Sequence, residues 1–146
     1  MKWLVSIEFA DEPFDGPFDA RDYRLPDPET GTTHRMTSMP VHAIVTSPAG
    51  GAELAAGPQI LRGVAWGGKA GIARVEVSID GASWAATGLA PGVGPYTLTH
   101  WSVQQALSAG AHELAVRATD GTGATQPEMP PWNPRGTRTR ASIEPP

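Results

Sequence analysis

Apolar and polar positions alternate with a period of two through much of this chain. The first run, residues 2–9, sets Trp3, Val5, Ile7 and Phe9 on one side and Lys2, Ser6 and Glu8 on the other, the pattern of a strand with one buried face. Residues 10–40 lose the period. Asp, Pro, Gly and Thr crowd this stretch, which predicts a long, turn-rich surface loop with Phe14, Phe18 and Tyr23 as its apolar anchors. From Val41 onward the spacing becomes regular. Strands are predicted over 41–46, 59–66, 72–79, 83–87, 96–103 and 112–119, with a short last one over 138–143. In the third of these Val75, Val77 and Ile79 oppose Arg74, Glu76 and Ser78, and in 112–119 Leu114, Val116 and Ala118 share the inner face. Asp80-Gly81 is a tight-hairpin signal leading into 83–87. No helical segment and no internal repeat is predicted. About seven strands with turns at this spacing predict an all-β fold, an immunoglobulin-like antiparallel β-sandwich. It occupies residues 41–146, after a strand and long loop region over 1–40.

Composition agrees with the pattern. Gly 17 and Pro 15 favour short strands over long helices, and 146 residues suffice for one buried core. A net charge of −4 argues against general attraction to nucleic acid or to anionic membranes. No apolar run approaches the length of a membrane span, and the opening Met1-Lys2-Trp3-Leu4-Val5 is too short for the apolar part of a signal peptide. Cysteine is absent, which excludes disulfides, thiolate metal ligands and cysteine nucleophiles while leaving the redox compartment open.

Candidate chemistry is sparse. His34, His42, His100 and His112 lie on different elements without ligand spacing and read as surface or capping residues. Asp120-Gly121-Thr122-Gly123 lacks a following helix to hold phosphate and reads as a turn. Asp11, Glu12, Asp15, Asp19 and Asp22 do not fit a calcium loop and read as solvated. Trp66, Trp84 and Trp101 read as sandwich tryptophans rather than a sugar platform, and no Ser-His-Asp arrangement is legible. One feature stands out. Arg135 sits in a rigid collar, Pro130-Pro131-Trp132-Asn133-Pro134-Arg135-Gly136, stiffness that suits a guanidinium meeting an anion in a fixed orientation.

Several blocks together resemble the C-terminal domain of sulfite-oxidase-type molybdenum enzymes. They are Gly63-Val64-Ala65-Trp66, Arg74-Val75-Glu76-Val77-Ser78-Ile79-Asp80-Gly81 with Trp84, Ala109-Gly110 with His112-Glu113-Leu114, Arg117-Ala118-Thr119-Asp120, Gln126-Pro127 and Trp132-Asn133-Pro134-Arg135-Gly136. Their order and spacing match over almost the whole chain. Lys2-Trp3-Leu4 is similar to the closing piece of the family's cofactor domain, and Phe18 to Tyr23 resembles a stretch whose Tyr reaches the molybdenum site.

The resemblance implies an immunoglobulin-like domain that mediates homodimerisation and completes a substrate pocket. The molybdopterin-bound molybdenum lies in a separate domain. Three roles are carried over by position: Lys2 as a cofactor contact, Tyr23 as a hydrogen-bond donor near substrate, and Arg135 as an anion receptor. In the chain alone, Arg135 is expected to brace its loop through backbone carbonyls instead. The family's metal takes a cysteine thiolate, so this chain is expected to bind no cofactor and to be inert alone. Exposed apolar strand faces near Val41 to Val45 and the domain's edges are candidate dimer contacts. The competing reading is a stand-alone immunoglobulin-like binding module for carbohydrate or protein.

Overall fold

The computed structural model describes residues 3–27 and 30–128, apart from the side chains of Asp19 and Pro26. They fall into two units, divided after Thr37.

In the N-terminal unit, residues 4–10 form no strand. Trp3, Val5 and Phe9 are 95%, 96% and 97% exposed, so the alternation predicted over 2–9 exists without a sheet to receive it. A strand is stable only when its amides find a ladder, and among the described residues none is offered here. The predicted loop over 10–40 is more ordered than expected. Phe18–Asp22 forms one turn of π-helix. Two short strands follow, β1 (Arg24–Pro26) and β2 (Thr33–Arg35), paired antiparallel with Arg24 opposite Arg35. The pairing extends one step further, since the Met36 amide donates to the Tyr23 carbonyl at 3.0 Å. Arg24 fastens the hairpin, donating from its guanidinium to the Thr33 hydroxyl at 2.8 Å and to the Thr33 carbonyl at 2.7 Å. Side chains of this polar kind carry no hydrophobic period, which is why the sequence pattern missed them. The expectation that Phe14, Phe18 and Tyr23 anchor the segment by burial is overturned, because all three are exposed.

The second unit is an antiparallel sandwich. One sheet has the order β3 (His42–Ser47), β4 (Gly57–Trp66), β8 (Thr99–Leu107), β7 (Gly88–Leu89). The other has the order β6 (Ala85–Ala86), β5 (Ile72–Ile79), β9 (Leu114–Asp120). This is the strand arrangement of an immunoglobulin-like sandwich. The strand predicted over 138–143 lies outside the described residues.

The core is Ala43, Leu61, Ala65, Val75, Val77, Trp101, Val116 and Ala118, with Val41, Val45, Leu114 and others packed against it. The eight buried core residues sit at alternate positions of their strands, as the period-two reading requires. Trp101 lies directly opposite Gly63 in the β4–β8 ladder. A Cβ on residue 63 would come within 2.0 Å of the Ile44 carbonyl and 2.3 Å of the Trp101 ring, so only glycine admits the indole at this point. The tryptophan is therefore a core residue, as expected, although its Nε1 has no hydrogen-bond partner.

Two predicted strands change shape. The return strand over 83–87 divides: β6 pairs with β5, whereas β7 pairs with β8 in the opposite sheet. Between them, Thr87 donates twice to the Val75 carbonyl, from its amide at 3.0 Å and its hydroxyl at 3.1 Å. The strand predicted over 96–103 begins at Thr99, opposite Ala65, because the preceding segment is a turn held by the Thr97 hydroxyl on Gly94. It continues to Leu107, since β4 reaches back to Gly57 and supplies the ladder. Ser78, expected outside, is buried because its hydroxyl donates to the Ala82 carbonyl at 2.6 Å within the adjoining turn. That turn is the Asp80-Gly81 hairpin signal realised. Asp80 and Gly81 have φ of 52° and 71°, and the Ala82 amide returns to the Ile79 carbonyl at 2.9 Å.

Candidate functional site

Of the three residues singled out in the sequence, the described structure contains one. Lys2 and Arg135 lie outside the described residues. Tyr23 comes directly after the π-turn, and its amide closes that turn on the Phe18 carbonyl at 2.8 Å. Its ring lies 6.4 Å from that of Phe18, tilted by 53°. The backbone of Tyr23 is thus fixed from both sides, by the π-turn and by Met36, while its side chain is 51% exposed. A π-turn inserts one extra residue and re-aims the next side chain, a device common at functional positions.

The described arginines of this unit are already engaged. Arg21 forks onto the Asp22 carboxylate, with Nε at 3.1 Å and Nη2 at 3.4 Å, and this hydrogen bond raises its pKa. Arg35 pairs with Asp15, and Arg24 is held by Thr33. None of the three is presented as an open anion receptor.

The sandwich contains a cluster that sequence reasoning missed. The β5–β9 register sets Ile79 opposite Leu114 and so brings Asp80 beside His112. Asp80 Oδ2 lies 2.7 Å from His112 Nδ1, and Asp80 Oδ1 accepts from the Glu113 amide at 2.7 Å. His112 Nε2 lies 3.1 Å from the Ser108 carbonyl and 3.3 Å from its hydroxyl. The hydrogen bond to Asp80, then that to the Ser108 carbonyl, raises the His112 pKa. The same contact with His112, then the Glu113 amide, lowers that of Asp80.

The order Asp-His-Ser is that of a hydrolase relay, but the chemistry differs. A carbonyl can only accept, so Nε2 must carry a proton toward Ser108 and is not available as a general base. The cluster is a clasp. It ties the β5–β6 turn to the β8–β9 turn beside an apolar cleft of about 300 Å³ lined by Pro48, Leu54, Leu107, His112 and Leu114 among others. The capping role expected of the histidines holds here. Asp120 likewise builds a turn, accepting at Oδ1 from the Thr122 amide and hydroxyl and from the Ala124 amide.

Trp84 and Trp66 are partly covered rather than core. The Arg117 guanidinium stacks 4.2 Å over the Trp84 ring, and His42 lies 5.0 Å from Trp66.

A molybdenum centre does not fit the donors present. The chain has no cysteine, and among the described residues no group of His, Asp or Glu is assembled to hold a metal. No helix among the described residues is long and apolar enough to cross a membrane.

The Mo-co oxidoreductase dimerisation domain family model matches residues 33–141. The crystal structure of the sulfane dehydrogenase SoxCD from Paracoccus pantotrophus is similar with a TM-score of 0.68 at 28% sequence identity, covering 80% of this chain and 31% of that one. The chain therefore spans less than a third of that relative's length. Comparison with curated proteins gives no match. Strand order, core and family match agree, and the chain belongs to the Mo-co oxidoreductase dimerisation domain family of sulfite-oxidase-type enzymes.

Proposed function

We propose that this chain is the homodimerisation and substrate-pocket-completing domain of a molybdenum-cofactor-dependent, sulfite-oxidase-like oxidoreductase. In this reading residues 1–40 continue a cofactor-bearing domain and residues 41–146 form the dimerisation domain. The complete enzyme transfers an oxygen atom to sulfite or a related sulfur oxyanion. The observation that supports it is the alternating row Trp3, Val5, Ile7 and Phe9, exposed throughout. Such a row is a strand sequence whose apolar face lacks a sheet, and a second domain would supply one.

Within the complete pocket Arg135 receives the anion, since a planar guanidinium meets two oxygens of a compact oxyanion at once. Tyr23 donates a hydrogen bond to an oxygen whose charge rises during transfer, without adding net charge. Lys2 lies in the segment that contacts molybdopterin. The chain by itself is inert, and sulfite oxidation by rigorously purified chain would overturn that part of the proposal.

The test uses the chain joined to a cofactor-bearing domain and loaded with molybdopterin. Tyr23→Phe is expected to lower kcat by about a hundredfold, the usual effect of removing one transition-state donor. Arg135→Met is expected to act mainly by raising KM. Unchanged kinetics in both variants would remove the pocket role and leave dimerisation standing.

A further inference from the structure

The two outward faces of the sandwich differ sharply in charge. On the three-stranded sheet, Glu76 is gripped between two arginines, with Oε2 at 3.0 Å from Arg117 Nε and 3.2 Å from Arg74 Nε. Arg117 in turn covers Trp84. That face is closed by its own ion pairs, and covering it would strip solvent from three charges.

The four-stranded sheet is different. Its outward positions are His42, Ile44 and Thr46 on β3; Pro58, Ile60, Arg62, Val64 and Trp66 on β4; and His100, Ser102, Gln104 and Ala106 on β8. The register sets Ile44 beside Val64, Val64 beside His100, and Ile60 beside Gln104. Of these described positions only Arg62 carries a formal charge. Burial lowers the His42 pKa, so this imidazole adds no charge near neutral pH. Ile60 remains 50% exposed in the middle strand of the sheet. The apolar positions near Val41 to Val45 named from sequence are not part of this surface, because Val41, Ala43 and Val45 point into the core. The same strand contributes its other side.

The edge of this sheet is less suited to a partner than its face. Near the start of the edge strand β3, the Ala43 amide donates to Gln126 Oε1 at 2.7 Å, and the Gln126 amide donates to the Ala118 carbonyl at 2.8 Å. Addition of another strand at that point would have to displace a buried hydrogen bond.

We infer that the outward face of β3, β4 and β8, centred on Ile60, Val64 and Gln104, is the surface that a second copy of this chain covers. The inference rests on the dimerisation reading, which names the occupant, and adds where it sits. A two-fold interface must complement itself, and a face with few charges meets its own copy without like-charge repulsion. Two twisted sheets stack face to face about 10 Å apart with strands within about 30° of alignment, which brings residues of β4 to residues of β4 or β8 of the other copy.

Light scattering and sedimentation of the 146-residue chain test this. Ile60→Asp is expected to give a monomer at concentrations where the unaltered chain is a dimer, weakening association at least tenfold. Gln104→Arg, on the neighbouring strand, is expected to do the same. Val93→Asp, at an equally apolar exposed position outside this face, is expected to leave the dimer intact. Far-UV circular dichroism and Tm confirm folding for each variant. A dimeric chain whose Ile60→Asp and Gln104→Arg variants both fold and still dimerise overturns the assignment of the face. A monomeric unaltered chain overturns the dimerisation reading itself.

Discussion

His112 shows how one contact gives a residue a pH-dependent structural role. Its pKa is raised above the ordinary value of about 6.5, so the contribution of its charged form is complete below that value and disappears as pH rises through the raised one. Asp80 runs the other way. Its pKa is lowered below about 3.9, so its contribution is present above that value and lost as pH falls through the lowered one. Both contributions are in place between about pH 4 and 6.5. His112→Gln is expected to lower Tm most within that window, with the difference from the unaltered chain shrinking as pH rises past neutrality. A thermal-shift series across pH checks this, and a difference that does not vary with pH would assign the clasp no titrating role. Gly63 makes a second point at the same scale. Gly63→Ala places a methyl group against the Trp101 ring and the Ile44 carbonyl, and is expected to destabilise the sandwich by about 1–3 kcal/mol in denaturant unfolding.

Among the elements, legibility tracked hydrophobic period. Strands such as β3, β5 and β9 were readable because Val, Ile, Leu and Ala recur at every second position and most of the residues between them are polar. The β1–β2 hairpin and the π-turn were not. They are held by Arg24 on Thr33 and by backbone hydrogen bonds, contacts that leave no apolar period to read. The row over 2–9 failed in the opposite direction, because period alone cannot say whether a sheet is there to receive the strand. Gln126 was quoted from the sequence only as part of a resemblance, yet it joins β3 to β9 across the sandwich. Gln126→Ala would leave the buried Ala43 amide without a partner and is expected to cost about 1–3 kcal/mol in the same unfolding measurement. A cost near zero would mean that water replaces the side chain.

At the scale of the molecule, the candidate site was the least legible part. Tyr23 could be named only through family resemblance, since an exposed Tyr after a polar turn carries no signal of its own. The Asp80–His112 clasp was hidden for another reason. Its members are far apart in sequence and meet only through the register of β5 with β9. The fold also settles what kind of solid this sandwich is. Residues 85–89 belong first to one sheet and then to the other, with Thr87 bonded to β5 at the crossing. A load that slides one layer past the other is therefore resisted by hydrogen bonds as well as by interdigitated side chains. Under the dimer assignment proposed above, that crossing acts as a shear pin, passing force from the loaded sheet into the layer behind it.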